Sequence, residues 1–199
     1  MRILLVGATG TIGRAVADAL SPDHDVVPAS FSKSKHKVDL ADSSSIHNLY
    51  QEVGRIDAVI CAAGLAKFAP LASLDEDDFR FCNSNKLMGQ VNLVRLGFDY
   101  VTDAGSFTLT SGVLAQQPMV GSAAISLVNA GLEGFVRAVA LEAPRNIRVN
   151  VVSPPWVKET LAALGMDTSQ GKPAASVARA YVQALEGRGT GEVISVAGE

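Results

Sequence analysis

Three glycines at a strand-to-helix turn constrain this chain more than any other feature. The stretch "RILLVGATGTIGRAVADAL" joins an apolar run to a helical pattern through Gly7, Gly10 and Gly13. Glycines at such a turn let the backbone amides at the start of a helix approach a pyrophosphate. Their position on the first strand-to-helix turn predicts dinucleotide binding, with a glycine-rich turn packed for its own sake as the alternative. A Walker site is excluded because no Gly-Lys-Ser/Thr follows.

Short apolar runs alternate with longer helical patterns along the rest of the chain. This alternation is typical of βαβ units, in which a parallel sheet is covered by helices on both faces. We therefore predict a Rossmann-type, doubly wound α/β fold in three α/β/α layers, formed by a single dinucleotide-binding domain over residues 1–199. Strands are predicted at residues 2–6, 25–29, 57–62, 106–110, 148–153 and 192–196. Helices are predicted near residues 11–20, 43–53, 76–101, 122–143 and 174–186.

Composition argues against several classes of function. The 199 residues are 48% hydrophobic and carry a formal charge of -3, which gives no general attraction for nucleic acid. The apolar runs are too short for a membrane span or a signal peptide, so we expect a cytoplasmic protein without membrane or nucleic-acid partners. Cys61 and Cys82 lack CxxC spacing and the histidines lack HxxxH spacing, so no metal site is predicted.

The end of the second predicted strand bears on the choice of dinucleotide. An acidic residue there would bind the ribose hydroxyls and repel a 2′-phosphate, whereas small residues and cations favour the phosphate. The sequence is "ASFSKSKHK", and Ser30, Ser32, Lys33 and Lys35 therefore favour NADP(H), with NAD possible. A solvated basic loop without a role in binding is the alternative interpretation.

With these motifs in place, the chain resembles the short-chain dehydrogenase/reductase family over essentially its whole length. The glycine turn looks like the cofactor motif of that family, Asp39-Leu40 like its adenine-contacting pair, and "CAAG" at 61–64 like its Asn-Asn-Ala-Gly segment. "LTSG" at 109–112 resembles the strand that bears the catalytic serine. The resemblance implies a small carbonyl or alcohol substrate and a homo-oligomer, either a dimer or a tetramer.

The resemblance also implies a set of cofactor-binding residues. "IRVNVVSPPWVKET" at 147–160 looks like the segment that closes over the nicotinamide, although Pro155 stands where glycine usually follows proline. The expected cofactor-binding residues are Gly7, Thr9, Gly10, Thr11, Ile12, Gly13, Ser30, Ser32, Lys33, Asp39, Leu40, Ala62, Ala63, Gly64, Pro154 and Val157.

The catalytic pair of the family is missing from its expected place. In the family, a Tyr and a Lys four residues later share one helix: the phenol transfers the substrate proton, and the ammonium lowers the pKa of the phenol and binds the ribose. Aligning "LEGFVRAVALE" at 132–142 with that helix places Ile125 and Asn129 at these positions. Neither side chain can perform the proton transfer, and residues 121–131 contain no Tyr or Lys.

A lysine on the preceding long helix is a candidate replacement. The family commonly has a catalytic Asn three residues before a Gly, and "NSNKLMGQ" places Lys86 at that distance from Gly89. We predict a catalytic site of Lys86, Ser111, Thr110 and Asn129, in which Ser111 or Thr110 is the hydrogen-bond partner of Lys86. In the alternative, Lys86 is a surface lysine and Asn85 is the Asn of the family after a one-residue insertion.

Three functional hypotheses follow from these residues. The favoured one is an NADP(H)-dependent oxidoreductase whose proton comes from Lys86, from a hydroxyl of Ser111 or Thr110, or from water. The second is a catalytically inactive family member that binds the cofactor as a sensor or a structural element, which Ile125 and Asn129 support. A hydrolase with Ser111 as its nucleophile is disfavoured because the chain lacks GxSxG and a recognisable base.

Overall fold

The strands form one parallel sheet with the first strand near its centre. In the computed structural model, which describes residues 1–196, the strands are β1 (Arg2–Val6), β2 (Asp25–Ser30), β3 (His36–Lys37), β4 (Ile56–Cys61), β5 (Val101–Thr110), β6 (Arg148–Ser153) and β7 (Val193–Ser195). Their order in the sheet is β3-β2-β1-β4-β5-β6-β7, and every neighbouring pair is parallel. The predicted Rossmann-type fold is confirmed; the last three residues of the predicted domain lie outside the described range.

Helices cover both faces of this sheet. They are α1 (Thr11–Leu20), α2 (Ser43–Val53), α3 (Glu76–Cys82), α4 (Gly89–Gly97), α5 (Ala123–Val139), α6 (Lys158–Ala163) and α7 (Ala174–Glu186). Successive side chains of a strand point to opposite faces, so Ile3 packs in the cluster that includes α1 and α7, whereas Leu4 packs in the cluster that includes α2, α4 and α5. Burial on both faces explains why β1 is apolar at consecutive positions.

The long helix predicted at residues 76–101 is shorter than expected and is interrupted. A π-helical turn, Asn83–Met88, joins α3 directly to α4, which ends at Gly97. The side chain of Asp75 caps α3 by accepting a hydrogen bond from the Asp78 amide at 2.9 Å. Because a π turn contains an additional residue, side chains before and after it leave the helix in a shifted register.

The fifth strand also begins earlier than predicted, at Val101 rather than at residue 106. Val101 pairs with Ile56, and the register then shifts before Ser106 pairs with Ala58. Ala104 has a positive φ of 58° within this irregular stretch. The first half of β5 contains polar residues and glycine around this bulge, a composition that is typical of a turn. The sequence pattern therefore missed the start of the strand.

The described residues lack two features that would bear on function. Over residues 1–196, no helix combines the length and the apolar character that crossing a membrane requires. The same residues contain no group of three or more His, Cys, Asp or Glu side chains that could hold a metal ion.

Candidate active site

The carboxyl ends of the strands bring the predicted site residues to one edge of the sheet. Gly7 follows β1, Ser30 ends β2, Gly64 lies beyond β4, Ser111 follows β5 and Pro154 follows β6. Parallel strands all end at the same edge, so residues far apart in sequence line one crevice there. The strand order reverses between β1 and β4, and the glycine turn lies at that switch point.

A cavity of about 250 Å³ opens at this edge. The predicted residues in its lining are Ile12, Ala62, Ala63, Gly64, Lys86, Thr110, Ser111, Asn129, Pro154 and Val157. The remaining predicted residues lie beyond the lining, in the glycine turn and after β2 and β3: Gly7, Thr9, Gly10, Thr11, Gly13, Ser30, Ser32, Lys33, Asp39 and Leu40. The cavity therefore lies where the reactive end of a dinucleotide would be, with the glycine turn and the β2 end outside it.

The glycine turn is packed backbone against backbone. Gly7 has a φ of 87°, and a Cβ on Gly13 would lie 2.0 Å from the carbonyl oxygen of Gly7. Gly10 is the N-cap of α1, and no side chain of the described residues caps the helix there. The amides of the first turn are therefore available to a phosphate, and the helix dipole favours its negative charge.

The loop after β2 is ordered by Ser30. This side chain is 5% exposed, and its Oγ accepts a hydrogen bond from the Lys33 amide at 3.0 Å. Ser32 and Lys33 are exposed beside it. Asp39 accepts a hydrogen bond from the Ala41 amide at 2.9 Å. The loop thus holds small hydroxyl side chains and an exposed cation together after β2, and a cation is the group that pairs with a phosphate.

Ser30→Asp is expected to shift the preference from NADPH toward NADH by about 10-fold or more, because a carboxylate repels a 2′-phosphate and binds ribose hydroxyls. The carboxylate can keep the acceptor role toward the Lys33 amide, so the loop should stay folded. The ratio of the two dissociation constants, measured by nicotinamide fluorescence, tests this. Lys33→Ala should weaken NADPH binding alone; an unchanged ratio in both variants would place the adenosine elsewhere.

Lys86 lies buried at the base of the cavity. Lys86 is only 8% exposed, and its Nζ donates a hydrogen bond to the carbonyl oxygen of Ser111 at 3.1 Å. Burial lowers the pKa of Lys86 to about 8, and the thiols of Cys61 and Cys82 oppose this shift less strongly. At neutral to mildly alkaline pH, Lys86 is therefore present in both its charged and its neutral form.

The structure shows Ser111, one of the two predicted partners, in contact with Lys86; Thr110 as the partner is wrong. The partner of Lys86 is the main-chain carbonyl of Ser111 rather than a hydroxyl. The Thr110 hydroxyl donates to the Cys61 carbonyl oxygen at 2.5 Å and lies 2.6 Å from the Tyr181 hydroxyl on α7, so it is not available to Lys86.

The alternative of a surface lysine is also wrong, because Lys86 is buried. The π turn presents Lys86 and its neighbour Asn85 in different directions. The Oδ1 of Asn85 accepts a hydrogen bond from the Leu65 amide at 2.7 Å, which fixes the segment after Gly64. Two consecutive residues of one helix thus both contribute to the site, which the additional residue of the π turn permits.

Sequence reasoning missed Glu133. This residue of α5 is 4% exposed; its Oε1 accepts a hydrogen bond from the Ser111 hydroxyl and its Oε2 one from the Gln116 side-chain amide, both at 3.1 Å. Ser111 is consequently oriented by a buried carboxylate. A glutamate four residues after Asn129, on the same helix face as the buried Val136, is the sequence signal that could have found it.

Sequence reasoning also missed Gln90, which holds the backbone of two site residues, Lys86 and Thr110. It is fully buried, and its side-chain amide both donates to the Thr110 carbonyl at 2.9 Å and accepts from the Thr110 amide at 2.8 Å. The same Nε2 lies 3.3 Å from the carbonyl oxygen of Lys86. Gln90 therefore ties the helix that carries Lys86 to the end of β5.

Asn129 is buried with one polar atom unpaired. The residue is 1% exposed, and Nδ2 donates a long hydrogen bond of 3.4 Å to the Gly112 carbonyl. Within the described residues, Oδ1 has no hydrogen-bond partner. A buried acceptor left unpaired costs about 1–3 kcal/mol, which a hydroxyl of a bound ligand could recover. The neighbouring Ile125 contributes only apolar surface to the cavity.

The sheet order, the glycine turn and the crevice define a dinucleotide-binding protein of the Rossmann class. The family model described as enoyl-(acyl carrier protein) reductase matches residues 12–195. The chain belongs to the short-chain dehydrogenase/reductase family, as its sequence motifs predicted.

Similar proteins of known sequence include reductases and oxidoreductases. A hydroxynaphthalene reductase of Aspergillus fumigatus is 30% identical over 130 residues, a match that covers 63% of this chain and 48% of that protein. The chain therefore spans about half the length of that relative. An uncharacterized oxidoreductase of Methylorubrum extorquens is 28% identical over 178 residues, covering 77% of this chain and 72% of its own length.

Solved structures resemble the whole chain. The protein lin1944 from Listeria innocua has a TM-score of 0.95 and 39% identity, with 99% of this chain and 100% of that chain covered. A small-chain dehydrogenase in complex with NADPH has a TM-score of 0.88 and 27% identity, covering 98% of this chain and 96% of the other. The fold therefore occurs in that protein with NADPH bound.

Proposed function

We propose that this protein is an NADP(H)-dependent oxidoreductase acting on a small carbonyl or alcohol substrate, with Lys86 in place of the missing tyrosine as the proton-transferring group. The observation that carries the proposal is a buried lysine at the base of a cavity beside the glycine turn. The reductases and oxidoreductases among its relatives, and the NADPH complex of a similar structure, support it.

The residues present fit the cofactor at both of its ends. The uncapped amides at the start of α1 suit the pyrophosphate, and Ser30 and Lys33 suit the 2′-phosphate. The unpaired Oδ1 of Asn129 suits a ribose hydroxyl. When bound, NADP(H) supplies or accepts the hydride.

Lys86 performs the proton transfer in this proposal. As an ammonium in the cavity it donates a proton from Nζ to a substrate oxygen during carbonyl reduction, and as a neutral amine it accepts one during alcohol oxidation. The Ser111 carbonyl fixes the direction of Nζ, and Gln90 fixes that carbonyl's strand end. Glu133 holds the Ser111 hydroxyl, so Ser111 meets a substrate mainly as a hydrogen-bond acceptor.

The pH dependence of turnover is expected to follow the protonation of Lys86. Carbonyl reduction requires the ammonium, so its kcat should fall as the pH rises through about 8, while alcohol oxidation requires the amine and should rise over the same range. Steady-state rates in both directions, from pH 6 to 10, measure these profiles. Two profiles that are flat across this range would exclude Lys86 as the proton-transferring group.

The test of function is a titration with NADPH and NADH followed by turnover assays. Binding is read from nicotinamide fluorescence, and consumption of NADPH is read from its absorbance with a panel of small aldehydes, ketones and quinones. We expect tighter binding of NADPH than of NADH, and consumption with at least one carbonyl compound. Tight binding without consumption across the panel would favour the cofactor sensor, and no binding of either nucleotide would overturn the proposal.

The homo-oligomer stays a prediction. Phe81 on α3, Met88 in the π turn and Leu127 on α5 are exposed apolar side chains on segments that pack against one another. Their exposure supports an interface on this side of the molecule. Light scattering gives the mass in solution, for which a dimer or a tetramer is the expected result.

A further inference from the structure

Lys86 has the surroundings of a nucleophilic amine. The residue is 8% exposed and yet lines the cavity. Its Nζ donates to a neutral main-chain carbonyl, and in the described part of the chain no carboxylate lies within salt-bridge distance of it. A neighbouring carboxylate would hold the lysine as an ammonium, so its absence favours the uncharged, reactive amine.

The ionisable groups packed around Lys86 do not restore the charged form. Cys61 at the end of β4 is a neutral thiol, because burial raises its pKa to about 12. Cys82 is also buried and lies one helical turn before Lys86. Glu133 on α5 is directed to the Ser111 hydroxyl and the Gln116 amide. Loss of hydration is therefore the main influence on Lys86, whose pKa lies at about 8.

We propose that Lys86 condenses with small aldehydes and ketones that enter the cavity and forms an imine with them, an activity separate from hydride transfer. The lone pair of Nζ attacks the carbonyl carbon, a carbinolamine forms, and loss of one water leaves the C=N bond. One amine and one carbonyl give one imine and one water, so the step consumes no oxidant or reductant.

The cavity selects the class of carbonyl compound. Its volume of about 250 Å³ admits small molecules, and Val113, Leu114 and Ile125 contribute apolar walls to the cavity that Lys86 also lines. Apolar walls disfavour charged carbonyl compounds and exclude water, which slows hydrolysis of the imine. Short aliphatic aldehydes and ketones are therefore the expected partners, and α-keto acids are disfavoured.

Reductive trapping of the wild-type protein tests the proposal. The protein, without added nucleotide, is treated with propanal and cyanoborohydride, which converts an imine to a stable secondary amine, and the modified lysines are found by peptide mass mapping. Lys67 is the internal reference, since it is half exposed and ion-paired to Asp78 at 3.2 Å. The amino terminus is also reactive but falls in a separate peptide.

Below pH 8, Lys86 should be modified about 10-fold faster than Lys67 or more, because Lys86 is buried with a neutral carbonyl as its hydrogen-bond partner, whereas Lys67 is exposed and ion-paired. The rate at Lys86 should rise with pH and level off above pH 8, because its pKa lies at about 8. Equal rates at the two lysines, or no modification of Lys86, would overturn the proposal. Glyoxylate in place of propanal should modify Lys86 poorly.

Added NADP⁺ separates this proposal from the proposed function. A nucleotide whose nicotinamide occupies the cavity should protect Lys86 from propanal and leave Lys67 unprotected. Rapid modification of Lys86 without any protection would sustain the imine activity and count against the cofactor site. If NADP⁺ protects Lys86 but the modification is slow even without the nucleotide, the cofactor site is supported and the imine activity is contradicted.

Discussion

Gly13→Ala is expected to destabilise the folded protein by about 3 kcal/mol and to weaken NADPH binding more than about 10-fold. The added Cβ would lie 2.0 Å from the carbonyl oxygen and 2.7 Å from the carbonyl carbon of Gly7. Both atoms belong to the backbone of the turn, and Gly7 itself is confined because a Cβ there would meet the Ala62 carbonyl oxygen at 2.7 Å. The first turn of α1 would have to move away from β1, and its amides would leave the position that a pyrophosphate needs.

Gly134→Ala is the matched control. Gly134 also lies in a helix, α5, but nothing lies within 4 Å of a Cβ built on it. This variant should be unchanged or stabilised by about 0.5–1 kcal/mol, because alanine lowers the entropy of the unfolded chain. Chemical denaturation and nicotinamide fluorescence measure both effects. If Gly13→Ala matched the control in stability and in NADPH affinity, the turn would not be the nucleotide site.

Lys86→Met is expected to stabilise the protein by about 1–3 kcal/mol and to reduce turnover about 100-fold or more. The stabilisation follows from removing a charge that is buried without an ionic partner, while methionine keeps a similar length and apolar volume. The loss of turnover follows from removing the proposed proton-transferring group. Opposite effects on stability and activity are typical of a residue kept for function at a cost in stability.

The gain in stability should depend on pH in a defined direction. Below pH 8, Lys86 carries its proton in both the folded and the unfolded state, so the full cost of burying the ammonium is present. Between about pH 8 and pH 10.4 the unfolded state binds more protons, so the stability of the wild type rises with pH relative to the variant. The difference in free energy of unfolding should therefore be largest near pH 7 and should shrink toward pH 10.

Lys67→Met is the control for both measurements. Lys67 is an exposed lysine that forms a surface ion pair with Asp78, so its removal should change stability by no more than about 0.5 kcal/mol. Its turnover should match that of the wild type. A Lys86→Met protein with wild-type turnover would show that the proton comes from another group.

The sequence predicted the strands that are apolar on both faces and missed those that are short or irregular. β1 and β6 were predicted with their observed bounds because β1 is an apolar run after Arg2 and β6 carries three buried valines in a short segment. β3 contains only His36 and Lys37 and has no hydrophobic periodicity to detect. Pairing between strands, which defines these residues as β-structure, is a property of the folded sheet and has no local signal.

The sequence predicted which residues form the candidate site more accurately than it predicted their hydrogen-bond partners. Lys86 and Ser111 were brought together as expected, but through a main-chain carbonyl, which every residue carries and no sequence pattern marks. Thr110 adjoins Ser111 in sequence, but its hydroxyl is bonded to Tyr181 on the opposite helix layer because side chains alternate along a strand. Glu133 could have been predicted, since an acidic residue within an apolar helical face is rarely left without a partner.

The central position of the first strand has a consequence for how the chain acquires its fold. β1 pairs with β2 on one side and with β4 on the other, and both partners follow it in the chain. During synthesis, the amino-terminal half can form a four-stranded sheet before β5 emerges, and β6 and β7 then add outward one at a time. Folding intermediates should therefore expose the free edge of β4, and mutations that weaken β5 should increase aggregation more than those that weaken β7.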